Sequence, residues 1–283
     1  MVHNLDNLLT GYVEVSSLPV VYYKINEAIN NPRTSMANIS KIISDDPGLM
    51  VRLLRLVNSA FYGFPSKIET VTQALVIIGT NQLRDLVLAT SITRLFEGIP
   101  EDLVTMDSFW RHSIACGIAA KTLATYRNET NVERFLIAGM LHDIGRLILY
   151  KKEGDQAREI LLRCHLNKTL LFLTEQELLG FDHAALGRRL LQAWNLPLSL
   201  EEAVAFHHIP HEAMHYPIEA TIVHLADIMV NALQWGSSGE HYVPPLDERA
   251  WERIGLSISI LSPVLDSMSQ QMDEITHSIL QDV

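Results

Sequence analysis

His142 and Asp143 stand side by side in Gly139-Met140-Leu141-His142-Asp143-Ile144-Gly145-Arg146, within an otherwise apolar run of helical spacing. An imidazole and a carboxylate in such surroundings cost several kcal/mol to desolvate unless they are paired or hold a cation. Their companions must come from elsewhere in the chain. In a helical protein a metal site is assembled from side chains on different helices, so its ligands are expected far apart in sequence, each on an inward face. His112, His183, His207, His208 and Asp227 meet that expectation. Neutral imidazoles and carboxylates suit a divalent metal such as iron, manganese or zinc, as one ion or two. A carboxylate such as Asp143 can bridge two ions, and water held between them becomes a hydroxide nucleophile, for which phosphoester hydrolysis is the natural reaction. In that chemistry Asp143 and Arg146 are the candidate catalytic residues. Arg146 lies one turn beyond the pair, where its guanidinium can hold a phosphate oxygen.

Other residues of the same types make weaker cases. A lone histidine on an apolar helix face is usually a hydrogen-bonded core residue, and it is the group that points to a metal. His224, one turn before Asp227, either orients that carboxylate or simply packs. Cys116, one turn beyond His112, can approach a metal there, with core packing the stronger reading. His211 and His215 follow a helix end and are expected in a solvated loop. His165 suits the negative end of a helix dipole.

The elements that must position these residues are helical throughout. Pro19 can open a helix to about Asn30, Thr34 or Ser35 caps a segment ending near Asp45, and Asp46-Pro47 is an N-cap followed by proline at the first helical position. Thr70 starts a further helix closed by Gly79, and residues 81–96 form a longer apolar one. After the turn-rich Gly98-Ile99-Pro100-Glu101-Asp102, the helices lengthen. Thr105 or Asp107 opens one that carries His112 to about Tyr126, and residues 133–150 read as one continuous helix through His142-Asp143. Gly139 and Gly145 allow close approach of a neighbour. Helices over 153–165 and 170–179 follow, then one capped by Asp182 and one capped by Ser199 that ends at His207-His208. A helix over 217–234 holds Asp227, and residues 248–254 and 258–280 form terminal helices.

The blocks Leu18-Pro19-Val20, Ile42-Ile43-Ser44-Asp45-Asp46-Pro47-Gly48-Leu49, Leu53-Leu54-Arg55-Leu56-Val57-Asn58-Ser59-Ala60-Phe61-Tyr62-Gly63 and Ala74-Leu75-Val76-Ile77-Ile78-Gly79 stand in order in the first third. Together they resemble the HDOD family of bacterial signalling proteins. The likeness runs over roughly residues 15–230. Asn58-Ser59 either ties neighbouring helices together or faces a partner, the structural reading being preferred. Further on, the order His, His-Asp, Asp resembles the HD phosphohydrolase superfamily, which implies a core metal held by His112, His142, Asp143 and Asp227. His183, His207 and His208 are similar to the added ligands of the HD-GYP branch and imply a second ion. Two departures stand against cyclic di-GMP hydrolysis. Ser108 occupies the position, four residues before His112, where that branch can supply an acidic ligand. The stretch Ile209-Pro210-His211-Glu212-Ala213-Met214-His215-Tyr216-Pro217 lacks the Asp-Gly-x-Gly-Tyr-Pro segment.

Composition bounds the rest. With 283 residues, 48% of them hydrophobic, the chain can bury a sizeable core. A net charge of −11 argues against general nucleic-acid binding or an anionic membrane surface. Two cysteines, Cys116 and Cys164, make no disulfide framework, and neither a signal peptide nor a membrane-spanning run is evident, so a cytoplasmic location is expected. About 15 residues precede the HDOD-like region, so any input is expected from another molecule or through the C-terminal helices. The expectation is an all-α protein with an N-terminal helical subdomain (1–98), an HD-like helical domain with a metal site (99–240) and C-terminal helices (241–283). Its expected role is that of a signal-transduction output module acting through a signalling protein partner. The rival role is a metal-dependent phosphohydrolase acting on a nucleotide or cyclic dinucleotide, a phosphate-containing small molecule.

Overall fold

Side-chain caps and prolines set where the helices begin, and the chain is all-α, with no strand among the described residues. The computed structural model describes Leu5, Leu8 and residues 18–59, 62–93, 95–96 and 98–280. Ala60 and Phe61 of the HDOD-like blocks, and the N-terminal stretch considered for a signal peptide, lie outside the described residues. Two compact units emerge, one over residues 96–268 and the other over residues 18–95 with 269–280. The residues after 240 divide between them.

In the unit that begins at residue 18, α1 (Val20–Asn30) follows Pro19. Next, α2 (Met36–Ser44) is capped by Ser35, which accepts from the Asn38 N–H, and α3 (Pro47–Val57) by Asp46, which accepts from Leu49. Each such cap is worth about 1 kcal/mol. Thr70 and Gln73 form a reciprocal capping box on α4 (Val71–Ile78). Gly79, at φ +94°, closes α4 and leads into α5 (Thr80–Ile92), which starts one residue earlier and stops sooner than the expected 81–96. Ile25, Ile43, Leu53, Leu56 and Leu86 are fully buried at the helical spacing read from the sequence. Asn58 is structural. Its amide donates to the carbonyls of Leu54 (2.7 Å) and Ile68 (2.8 Å) and accepts from the Ile68 N–H (2.7 Å), fastening the following loop to the end of α3.

The second unit is built on α6 (Met106–Tyr126), capped by Thr105. Against it pack α7 (Glu133–Leu141) and, further along the chain, α13 (Pro217–Leu233). Between these lie α8 (Ile144–Lys152), α9 (Gly154–Asn167), α10 (Leu171–Leu179), α11 (His183–Ala193) and α12 (Leu198–Ala205). Beyond α13 come α14 (Glu248–Ile254) and α15 (Leu261–Leu280), whose residues from 269 onward belong to the other unit. Two expectations are corrected. The helix over 133–150 is not continuous: it breaks at His142-Asp143, where Asp143 leaves helical geometry at φ −97°, ψ 7° and its carbonyl accepts from the Arg146 N–H at 2.9 Å. Likewise α12 starts after Pro197 rather than Ser199 and ends at Ala205, leaving His207 and His208 in a bend beyond its C-terminus. In both places a polar pair needs to aim two neighbouring side chains at one point, whereas neighbours on a regular helix diverge by about 100°.

Candidate metal centre

Two close helix approaches assemble the site. A Cβ on Gly139 would lie 2.5 Å from the Cys116 carbonyl oxygen, so only glycine lets α7 approach α6 closely enough to set His142 beside His112. A Cβ on Gly145 would run into the His183 carbonyl and lie 2.7 Å from the Gly187 nitrogen, so α8 lies directly against α11, bringing His183 to Asp143. At the other end of the site, Asp227 projects from α13, which packs on α6.

All seven sequence candidates converge. His112 Nε2 lies 3.3 Å from Asp227 Oδ1 and 3.6 Å from Asp143 Oδ2. His142 Nε2 lies 3.2 Å from Asp143 Oδ2 and 3.4 Å from Asp227 Oδ1. On the other side of Asp143, Oδ1 is 2.9 Å from His183 Nε2, which is 3.3 Å from His207 Nε2 and 3.1 Å from His208 Nε2. Asp143 therefore presents one oxygen to each histidine group. The groups His183, His207, His208 and His142, Asp143, His207 each offer donor atoms within 4.8 Å of one another.

Hydrogen bonds fix which ring nitrogen faces inward. A carbonyl only accepts, so the Nδ1–H of His142 donates to Gly139 O (2.7 Å) and that of His207 to Val204 O (2.7 Å). His183 Nδ1 bonds Glu175 Oε2 at 2.6 Å. These outer partners hold each Nε2 toward the centre, the arrangement by which histidine ligands are oriented. In a neutral ring that Nε2 is a lone pair. His142 Nε2 then faces two carboxylate oxygens without a hydrogen bond of good geometry, and His207 Nε2 faces His183 Nε2. Electron pairs so opposed are stable only with a cation between them, a proton or a metal. Asp143 Oδ1 is likewise buried without a hydrogen bond of good geometry. The donor set fits a divalent ion.

Charge accounting agrees. Asp143, Asp227 and Glu175 are buried around the Arg146 guanidinium, with the buried Glu240 carboxylate also acting on it, so carboxylates outnumber the guanidinium. Without a metal, protons make up the difference. Burial alone would depress the His142 pKa, but the Asp143 and Asp227 carboxylates outweigh it and push it up to about 10. His183, depressed by burial and Arg146, is raised to about 9 by Glu175 and Asp143. His207 and His208 go the other way, well below the usual imidazole value, through burial and the neighbouring imidazoles. Asp143 and Asp227 are held well below the usual carboxylate range, burial being overcome by Arg146 and the histidines for Asp143 and by His112 and His142 for Asp227.

Arg146 is turned inward and only 2% exposed. It donates to Ser238 Oγ, lies 3.2 Å from Asp143 Oδ2 and 3.4 Å from His183 Nε2. His224 does not orient Asp227. Its Nδ1–H donates to the His207 carbonyl (2.7 Å) and its Nε2 accepts from the Asp247 N–H (3.0 Å), so it secures the bend that carries the paired histidines. Outside the site, His211 bonds Asp247 (2.7 Å), His215 bonds Glu202 (2.7 Å) and His165 lies edge-on to His241. Ser108 accepts from the Ser237 N–H at 2.9 Å. Four contributors were not foreseen: Glu175, Ser238, Tyr150, whose hydroxyl donates to the Ser238 carbonyl (2.7 Å), and Phe172, stacked on His208 with ring centres 4.1 Å apart. Glu175 did leave a signal. It falls midway between Leu171 and Leu179 at spacing four, a carboxylate on the buried stripe of α10.

An all-α fold that gathers a histidine, a His-Asp pair and an aspartate from separate helices into one buried cluster defines the class. The HDOD domain model matches residues 15–210, and the chain belongs to the HDOD domain family. The crystal structure of an HDOD domain protein of unknown function from Geobacter sulfurreducens is similar over 98% of this chain and 97% of that one, with a TM-score of 0.80 at 21% identity, and so shares the fold. A protein from Shewanella amazonensis SB2B with a provisional phosphohydrolase name aligns over 96% of this chain and 97% of its own, with a TM-score of 0.75 at 25% identity. An uncharacterized protein of Treponema pallidum (strain Nichols) is 26% identical over 215 residues, 74% of this chain. The chain spans 41% of that relative's length. Among the described residues no helix is long and apolar enough to cross a membrane.

Proposed function

We propose that this chain is a cytoplasmic signal-transduction output module whose HD-like domain holds one or two divalent metal ions and which acts through contacts with a signalling protein. The observation that carries the metal is the convergence of His112, His142, Asp143, His183, His207, His208 and Asp227, with the inward nitrogens of His142, His183 and His207 fixed by outer partners. His112, His142, Asp143 and Asp227 would hold one ion, and His183, His207 and His208, with Asp143 between, a second. Such ions would supply Lewis-acid activation of a phosphoester and of water. The chain's own groups favour holding over turnover. His112, His142 and His207 are fully buried, Asp143 is 2% exposed, and Phe172 lies over His208. Arg146, the residue that would grip a phosphate, already serves Asp143 and Ser238.

The phosphohydrolase reading draws support from the ligand set and from the provisional name of the Shewanella chain. Elemental analysis of protein purified without added metal, followed by a phosphoester panel with Mn²⁺ or Fe²⁺, separates the two. The proposal expects close to one or more ions per chain, no turnover, and partner binding that survives Asp143→Ala. Turnover abolished by Asp143→Ala would replace it with the hydrolase, and protein that neither carries nor takes up metal would remove the site.

A further inference from the structure

Cys116 is one helical turn from His112 on α6, so both side chains leave the same face. Its Sγ lies 3.6 Å from His112 Nε2, and both residues are fully buried. His142 Nε2, fully buried and without a hydrogen bond of good geometry, is aimed into the same space. The donor atoms of His112, Cys116, His142 and Asp227 all lie within 4.8 Å of one another. Zinc in tetrahedral coordination binds sulfur at about 2.3 Å and nitrogen or oxygen at about 2.0–2.2 Å, which sets ligand-to-ligand edges of roughly 3.3–3.6 Å. Three of the six edges are 3.6 Å from His112 to Cys116, 3.3 Å from His112 to Asp227 and 3.4 Å from His142 to Asp227, and the other three are no longer than 4.8 Å. Helix packing keeps the sulfur there: the Gly139 contact that brings His142 to the site is made against the backbone of Cys116 itself.

We infer that Cys116 is a ligand of the first metal position, completing a His112, Cys116, His142, Asp227 set that selects zinc over manganese. This rests on the metal reading above. Sulfur is a soft donor that zinc accepts and manganese does not favour, and a closed four-coordinate site with sulfur and imidazole is the arrangement of structural zinc. As the ion enters, the thiol proton leaves to solvent and a metal–sulfur bond forms, with no change of oxidation state. In this set Cys116 takes the place given above to Asp143 Oδ2, which lies 3.2 Å from His142 Nε2 and 3.6 Å from His112 Nε2, and Asp143 keeps its Oδ1 toward the histidine trio.

The test is cobalt loading of the full chain after chelator treatment. One bound cobalt should bring a near-ultraviolet sulfur-to-cobalt charge-transfer band, retained in Cys164→Ala and lost in Cys116→Ala. Zinc affinity in Cys116→Ala should fall about tenfold or more, since even outer partners of ligands cost that much, with manganese affinity changed less. If Cys116→Ala does not fold, X-ray absorption of zinc-loaded Cys164→Ala protein decides: a sulfur neighbour at about 2.3 Å supports the ligand, and its absence overturns it. Cobalt or zinc bound without any sulfur signature overturns the inference and leaves the metal site standing. No uptake of either ion overturns both.

Discussion

Glu175 shows how one side chain sets the chemistry of another. Fully buried, it accepts from both the backbone N–H and the Nδ1–H of His183, fixing the ring so that Nε2 faces Asp143. Glu175→Gln keeps the shape and removes the charge. Metal affinity should then fall by about 10–100-fold, read by competition with a chromophoric chelator, with helical content unchanged. An unchanged affinity would mean that His183 holds no ion. His224→Ala acts one step further out. It strips the His207 carbonyl and the Asp247 N–H of partners, and should cost about 1–3 kcal/mol in urea unfolding whether or not metal is bound.

At the scale of the helix, the close approaches are the sensitive points. Gly145→Ala sets a Cβ against the backbone of α11, which cannot step aside as a side-chain end could, so α8 and α11 must separate. A loss of at least about 1–3 kcal/mol is expected, together with weaker metal binding because His183 moves away from Asp143. The α6 and α7 pair carries a pH signature of its own. Lys121 on α6 is buried 3.5 Å from Glu133 at the start of α7, and burial, only partly offset by Glu133, lowers its pKa to about 8. The unfolded chain, with lysine near 10.4, therefore holds the extra proton between about pH 8 and 10.4, and stability should rise with pH across that window. The gain is on the order of 3 kcal/mol. Urea midpoints of the native protein and Lys121→Met as a function of pH should differ by that slope, and parallel curves would rule it out.

For the whole molecule, the metal and the two units bear on how unfolding is observed. All four tryptophans, Trp110, Trp194, Trp235 and Trp251, lie within residues 96–268, so their fluorescence follows the unit that carries the histidine cluster. A ligand present at 1,000 times its dissociation constant adds about 4 kcal/mol. For a unit of this size that is roughly 8–16 °C in Tm. Chelation should thus lower the fluorescence-detected midpoint by that amount. No shift on removal of bound metal would mean that the ion does not favour the folded state.

Much of the architecture was legible in the chain itself, because its signals are local. Ser35, Asp46, Thr70, Thr105 and Asp182 each accept a hydrogen bond at the helix start their types imply. Apolar spacing then names the buried faces, and the seven candidate ligands stand out because they lie on such faces or at helix ends in an order that resembles the HD phosphohydrolase superfamily. Three things required the tertiary structure. The break at His142-Asp143 could not be read locally, since Gly139 to Arg146 has no helix breaker beyond glycine and the kink is held by what both side chains meet. Arg146 looked free to take a phosphate until Ser238, 92 residues away in the chain, appeared as its partner. Which nitrogen His142, His183 and His207 turn inward depends on carbonyls and a carboxylate supplied by neighbouring turns and helices. The sequence by itself determined the helices and the need of His142-Asp143 for buried partners, through spacing and desolvation cost, and the packing of helices across their glycines decided which further groups, Glu175 and Ser238 among them, complete the site and at what distances all of them meet.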